Sequence, residues 1–215
     1  MKINQNLSKK YYKWYNYFGD HMDIDKICNE LEKGNLVITP TDTIYGIMGD
    51  ATNEETIKKI YKVKQRSYSK PLILLMDSYE MMKEYTQNIS KQEDELIKEF
   101  MPGLVTIILE KNNKVSNLIT ANTNYIAIRI PDNQDVLKII NKFGKPVIST
   151  SANISEEDAI TSVDLLDKNL KNNIDYIYDG GKLSSVSSTI VKFDQNKLKI
   201  LREGILSNKL KERFK

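Results

Sequence analysis

Residues 35–50 read NLVITPTDTIYGIMGD, and this stretch narrows the folds open to the chain. An apolar run, Leu36, Val37 and Ile38, stops abruptly at Thr39-Pro40. Short apolar runs bounded by turn chemistry read as buried strands. Proline lacks the N–H that a ladder needs, so the strand is predicted to end or reach an edge near Pro40. Two hydroxyls then flank a carboxylate at Thr41, Asp42 and Thr43. A polar turn at the carboxyl end of a buried strand is where open α/β sheets hold ligands. The same residues suit an ordinary turn with local hydroxyl caps, and taken alone they favour it.

Size and composition remove several classes. A chain of 215 residues with 40% hydrophobic content supports one domain with a real core. A net charge of +3 suits an anionic ligand or transient RNA contact, not a dedicated nucleic-acid binder. The single cysteine, Cys28, and single histidine, His21, exclude a disulfide framework, a cysteine metal cluster and a histidine-based zinc site. No apolar run approaches the ~20 residues of a membrane span. The first residues, MKINQNLSKKYYKWYNYF, are polar and aromatic, unlike a signal peptide. A soluble cytoplasmic protein is the expectation.

Residues 1–19 read as a basic, aromatic arm, 20–206 as the working domain, and 207–215 as a basic helical tail. Cations among rings in the arm can stack on single-stranded nucleic acid, or the rings can pack on their own domain. Asp23 opens a helix with Ile24, Ile27, Cys28 and Leu31 on one face, closed by Gly34. Cys28 is placed in the core and His21 in a solvent-facing loop. Thr52-x-x-Glu55 reads as a capping box for a second helix. Lys64, Arg66 and Lys70 then precede an apolar strand at 71–76. If that segment is extended, Lys64 and Arg66 point the same way and could clamp phosphates. A solvated helix end with dipole-complementing cations is the equal alternative. Ser78 and Ser90 are expected to cap helices, Ser90 with Glu93 as a capping box.

The second half repeats the pattern. Met101-Pro102-Gly103 is a turn into a strand at 104–109, and residues 111–124 form a polar loop. YIAIRI at 125–130 is a strand stopped by Pro131. Arg129 inside it is either half of a buried ion pair or an anion ligand facing a cleft, the latter preferred. A helix carries Val136, Leu137, Ile140 and Phe143 and ends at Gly144. A short strand at 146–148 is followed at once by Ser149, Thr150, Ser151 and Asn153, which can donate to phosphate or carboxylate oxygens. A helix is expected near Ser162. Then come a strand, a Gly180-Gly181 turn, a serine-rich loop, strands from Thr189 and at 199–201, and a basic helix at 206–214. Hydroxyls thus recur at three strand ends, with cations at Lys64, Arg66, Lys70, Arg129 and Arg202. This predicts a cleft for a multiply anionic ligand. The familiar nucleotide and hydrolase signatures are absent from the sequence.

The motifs TPTDTIYGI (39–47), KQR with KPLILL (64–75), PGLVTIIL (102–109), IAIRIPD (126–132), STSAN (149–153), DGG with SSTIV (179–191) and LREG (201–204) carry a resemblance. Their types and order, over roughly residues 20–205, resemble the YrdC family, the threonylcarbamoyl-AMP synthases, in its short form. The resemblance implies a single-domain α/β fold of the YrdC/RibB-like type, a twisted mixed sheet around a positively charged central cavity. It implies that L-threonine, bicarbonate and ATP give threonylcarbamoyl-adenylate and pyrophosphate. The product would serve the adenosine beside the anticodon of certain tRNAs through partner transferases.

By the same resemblance Lys64 and Arg66 would be catalytic and hold phosphates or the carbamate. Thr43, Arg129 and Ser188 would bind threonine and bicarbonate. Lys70, Ser149, Ser151, Asn153 and Arg202 would join Lys64 and Arg66 at ATP. Mg2+ would ride on the phosphates, without a dedicated protein site. The chain departs from the family at Ser67, Leu104, Ser187 and Glu203, which bears on loop rigidity more than on charge. These departures leave open the YciO-like branch, a non-catalytic protein binding double-stranded RNA or tRNA. An acidic loop near residues 154–160 could close over substrate.

Overall fold

In the computed structural model residues 22–184 and 186–215 are described; the arm at 1–19 and His21 lie outside them. In chain order the elements are α1 (Ile24–Glu32), β1 (Val37–Pro40), β2 (Tyr45–Asp50), α2 (Glu54–Val63), β3 (Ile73–Leu75), α3 (Tyr79–Tyr85) and α4 (Lys91–Phe100). They continue with β4 (Val105–Glu110), β5 (Tyr125–Arg129), α5 (Gln134–Phe143), β6 (Val147–Ser151), a 3-10 turn (Val163–Leu165) and α6 (Lys168–Lys171). The last are β7 (Tyr176–Ile177), β8 (Thr189–Asp194), β9 (Lys197–Arg202) and α7 (Ser207–Arg213).

One mixed nine-stranded sheet runs in the order β7-β1-β2-β6-β3-β5-β4-β8-β9. Its two faces are covered unequally. Ile38, Ile47, Ile148, Leu74, Ile128, Ile107 and Val191 share one buried cluster with Ile57 and Ile60 of α2, Leu96 and Ile97 of α4 and Leu210 of α7. On the other face α1 and α5 pack Ile27, Cys28, Leu31, Val136, Ile139 and Ile140 against Val37, Met48, Leu75 and Val147. That cover stops short. Register aligns Met48 with Ser149, Ser149 with Ile73, Ile73 with Ala127, and Ala127 with Ile108. Directly paired residues share a face. Met48 is buried, but Ser149, Ile73, Ala127 and Ile108 are only half-buried. They form a partly exposed strip of sheet beside α1 and α5, here called the hollow, which the side chains of those two helices do not cover.

Several expectations are met locally. Asp23, Ser78 and Ser90 cap their helices, Ser90 with the full Glu93 capping box. Gly144 closes α5 in the left-handed conformation, φ 71°. Cys28 is buried and its thiol donates to Ile139 O, with burial raising its pKa.

Other expectations are corrected. The strand predicted to stop at Pro40 does so, but the chain turns within four residues and returns as β2, paired from Pro40↔Tyr45 to Val37↔Met48. The N-cap of α2 is Asn53, whose side chain accepts from Glu55 N and Thr56 N. Thr52 instead donates its hydroxyl to Asp50. Segment 64–66 is not extended: Lys64 ends α2 in helical geometry and Gln65 has φ 50°. Ser149 and Ser151 lie within β6, not beyond it, because β2 pairs that strand from Gly46↔Ser151 to Asp50↔Val147. The helix near Ser162 is one 3-10 turn.

Gly49 shows how tightly α2 meets the sheet. A Cβ there would lie 2.6 Å from Thr56 Cγ2 and 3.1 Å from Ile60 Cδ1 and Leu36 Cδ2. Gly49→Ala is therefore expected to lower unfolding free energy by about 1–3 kcal/mol, measured by urea denaturation.

Candidate active site

The hollow is walled by the β1–β2 turn, the end of β6, the end of β5 and the start of β8. Local chemistry builds each wall. In the turn, Thr41 Oγ1 donates to Ile44 O at 2.7 Å and accepts from Thr43 N at 3.1 Å. Thr41 has one hydroxyl proton, so in the 2.8 Å Thr41–Thr43 contact Thr43 is the donor. The turn sits against the sheet because residue 46 is glycine. A Cβ there would meet Ser149 Oγ at 2.9 Å and Thr41 Cγ2 at 3.3 Å.

Arg129 at the end of β5 is 5% exposed and ion-paired with Asp42 of that turn. Its Nε donates to Gly103 O at 2.8 Å. The same Asp42 oxygen accepts from Asp132 N at 3.0 Å. Of the two sequence readings of Arg129, the ion pair holds, and the cleft is what it borders. Burial lowers the pKa of Arg129, with Asp42 opposing. Burial likewise lifts Asp42 above the usual carboxylate range, against the pull of Arg129. The close hydrogen-bonded geometry keeps both charged at neutral pH.

Beside this pair, Ser188 and Thr106 share a 2.9 Å hydroxyl contact. Arg202 donates from Nη2 to Ser188 Oγ at 2.8 Å and from Nε to Ser188 O at 3.1 Å. Burial, then the charge of Arg129, lowers the pKa of Arg202, so two guanidinium groups feel each other at this wall.

Lys64, 1% exposed, belongs to the opposite wall. Its Nζ donates to Ser151 O at 2.5 Å, Asn153 O at 2.6 Å and Asn153 Oδ1 at 3.4 Å. Ser155 N donates back to Lys64 O at 2.9 Å. Lys64 therefore shapes the strand end that carries Ser149, Ser151 and Asn153. Arg66 folds its own loop, donating from Nε to Lys70 O at 3.1 Å and from Nη2 to Pro71 O at 2.8 Å. Lys70 is exposed and pairs with exposed Glu156 at 2.5 Å, a surface link of small energetic weight.

Contacts thus run unbroken from Lys64 through Ser151, Gly46, Thr41 and Asp42 to Arg129, and by charge to Arg202 and Ser188. Lys70 is not part of this run and pairs instead with Glu156. Sequence reasoning missed Asp42 and Thr106, which hold Arg129 and Ser188. It also missed Tyr45, whose hydroxyl donates to Gly181 O at 2.6 Å and accepts from Gly180 N at 3.0 Å. A lone carboxylate among hydroxyls in a cation-rich chain was the available signal for Asp42. Among the described residues no group of three or more His, Cys, Asp or Glu side chains converges, so the donors are hydroxyls, amides and cations. No described helix is long and apolar enough to cross a membrane.

A mixed sheet with one partly uncovered face, bordered by Arg129 and strand-end hydroxyls, defines an α/β protein. The Sua5/YciO/YrdC family model, described as telomere recombination, matches residues 29–204, and the chain belongs to this family. A protein of Methanocaldococcus jannaschii is 38% identical over 182 residues, covering 82% of this chain and 83% of its own. The threonylcarbamoyl-AMP synthase of Pyrococcus abyssi is 32% identical over 175 residues, 81% of this chain; the chain spans 52% of that protein's length. The solved structure of P. abyssi Sua5 complexed with L-threonine superposes with a TM-score of 0.80 at 31% identity, over 84% of this chain and 54% of that one. Escherichia coli YciO, at 21% identity and TM-score 0.76 over 85% of this chain and 89% of its own, shares the fold.

The burial of Lys64 has a measurable consequence. Desolvation, helped by the charge of Arg66, brings its pKa from 10.5 down to about 7. Below pH 7 both folded and unfolded chains hold the proton, and the folded state bears the whole desolvation cost. Between pH 7 and 10.5 the unfolded chain binds more protons, so stability rises with pH. Relative to Lys64→Met, the parent chain is expected to gain up to about 1.4 kcal/mol per pH unit above pH 7. The carbonyl oxygens around the ammonium act in the opposite sense and reduce the slope. Urea unfolding at pH 7, 8 and 9 measures it, and a flat difference would contradict the assignment.

Proposed function

We propose that this chain is an L-threonylcarbamoyladenylate synthase, a nucleotidyltransferase using L-threonine, bicarbonate and ATP. The observation that carries this reading is Arg129, a buried guanidinium at the rim of an open sheet face. Nε and Nη2 are engaged by Gly103 and Asp42, and Nη1 makes no hydrogen bond with a described residue. A small carboxylate suits that remaining donor. An RNA-binding role asks for charge on an exposed face, which Arg129 does not offer.

In this reading Arg129 takes the threonine carboxylate, with the hydroxyls of Thr43 and Ser188 beside it. The uncharged amine captures CO2 derived from bicarbonate, forming the carbamate C–N bond and losing a proton. A carbamate oxygen then attacks the α-phosphorus of ATP in line, and pyrophosphate leaves. Such transfer needs positioning and charge stabilisation more than a protein nucleophile. Ser149 and Ser151, on the uncovered face of β6, donate to phosphate oxygens. Arg66, Lys70 and Arg202 supply positive charge along the triphosphate. Lys64 acts by holding Ser151 and Asn153 in place and by its charge behind them. Mg2+ would add Lewis-acid charge while bound to the phosphates, and among the described residues no carboxylate cluster offers it a separate site. We further propose that the reaction takes place in the cytoplasm and feeds a partner transferase that modifies tRNA.

The test is pyrophosphate release from ATP and bicarbonate with each amino acid in turn. Release that requires L-threonine is expected. Arg129→Ala is expected to lower kcat/KM for threonine by at least about 100-fold while ATP affinity changes only a few-fold. ATP binding without release for any amino acid would shift the assignment to the RNA-binding reading.

A further inference from the structure

Arg202 is a cation without a counter-ion. Its Nε and Nη2 donate to Ser188 O at 3.1 and 3.0 Å, and Nη2 also donates to Ser188 Oγ at 2.8 Å. These bonds to one residue fix the plane of the guanidinium, and Nη1 makes no hydrogen bond with a described residue. Among the described residues no carboxylate pairs with Arg202, whereas Asp42 pairs with Arg129, and Glu203, next in sequence, pairs with Lys211. Arg202 is an exposed residue, so solutes reach it. Enough protein still surrounds the guanidinium for desolvation to lower its pKa, and the charge of Arg129 adds to this.

The register shows which way Arg202 faces. Thr106 stands two residues before Ile108 on β4, and Arg129 two residues after Ala127 on β5, so both share the face of the uncovered strip. Thr106 is paired with Ile190, and Ile190 with Arg202, which carries that face to the edge of the sheet. Arg129 and Arg202 thus stand on one side of the sheet, with Thr106 of β4 and Ser188 before β8 between them.

We propose that Arg202 is the bicarbonate subsite: it holds that anion beside the threonine carboxylate on Arg129, and then holds the carbamate that replaces it. This rests on the synthase reading above and narrows the place of Arg202 from the triphosphate at large to the oxygen that attacks it. The chemistry asks for a second cation here. In sum, bicarbonate and the uncharged threonine amine give the carbamate and water. The C–N bond forms, and the hydroxyl lost from the bicarbonate carbon leaves with an amine proton. The adduct then carries two carboxylate groups on one carbon, one bonded directly and one through nitrogen. They lie close together, and both are charged. Arg129 already shares its charge with Asp42 and meets one of them; Arg202 is the neighbouring cation still without a partner. Its Nη1 offers charge-assisted N–H donors to the second. Bicarbonate and carbamate carry the same charge, so Arg202 keeps an anion through the exchange.

Pyrophosphate release is measured in CO2-depleted buffer against added bicarbonate, threonine and ATP in turn. The chains compared are the parent, Arg202→Gln and Arg202→Lys, with thermal melts to confirm folding. Arg202→Gln is expected to raise KM for bicarbonate at least about 10-fold, with KM for threonine and ATP changed only a few-fold. Arg202→Lys, which keeps the charge without the planar group, is expected to fall between. A raised KM for ATP with the bicarbonate KM unchanged overturns the inference and leaves the synthase reading standing, as does no change in any of the three. Calorimetric titration of the parent chain gives a check that needs neither a variant nor ATP. Saturating sodium bicarbonate, at fixed pH and ionic strength, is expected to tighten threonine binding at least about 5-fold. Unchanged affinity overturns the inference, even where threonine-dependent pyrophosphate release upholds the synthase reading. Absence of that release overturns both.

Discussion

The contact between Asp42 and Arg129 ties the ligand-facing parts of the molecule together. Without it, the turn between β1 and β2 would be a surface loop over an open sheet face. With it, the turn is pinned to the end of β5, and through Asp132 N to the segment that starts α5. Burying two charges is unfavourable, and the pair offsets this only through close geometry and extra hydrogen bonds. Gly103 O and Asp132 N supply those bonds. Removing one partner would strand the other, typically at about 3–5 kcal/mol, a large part of a domain's net stability. The pair therefore decides where the turn sits, and the turn decides the shape of the hollow.

The hollow exists because the sheet is covered unequally. On one face, side chains from α2, α3, α4 and α7 join a single cluster across the central strands. On the other, α1 and α5 cover β1, β2 and β6 and then stop at Leu75. Beyond that line the alternation of each strand still points a row of side chains outward, but the row carries Ser149, Ala127 and Ile108, which α1 and α5 do not reach. The strip is of mixed polarity, and the paired strands beneath it give Ser149 and Ser151 fixed positions. In the reading proposed above, that fixity is what transfer chemistry without a nucleophile requires.

Much of this was legible in the residues. Periodicity and capping placed α1, α4 and α5, because those signals are local. The recurrence of hydroxyls at strand ends, with cations nearby, picked out Arg129, Ser188 and Arg202, which the structure brings close together. What could not be read was set by partners distant in sequence. Ser149 and Ser151 resemble a turn until β2 is known to pair with them. Lys64 and Arg66 read equally as a phosphate clamp or as a solvated helix end, and neither reading foresaw that their N–H groups reach backbone carbonyls of residues 70, 71, 151 and 153. Thr52 fits the capping pattern as well as Asn53 does, and only the path of the chain out of β2 chooses between them. Asp42 was visible as a residue, but its role follows from Arg129, which lies 87 residues away.

The buried polar groups also explain where this protein gives up folding free energy. Lys64, Arg129, Thr106 and Ser188 are all buried, and each would be an unfavourable choice in a core designed for stability alone. Each is satisfied by a nearby partner: a strand-end carbonyl for Lys64, the turn carboxylate of Asp42 for Arg129, a hydroxyl for Thr106 and for Ser188. These partners hold the polar groups in place, and in the proposed reading they would need little reorganisation to meet a charged ligand. The large apolar cluster on the closed face offsets their cost. One face of the sheet holds the molecule together so that the other can keep charges out of water, where electrostatic interactions are strongest.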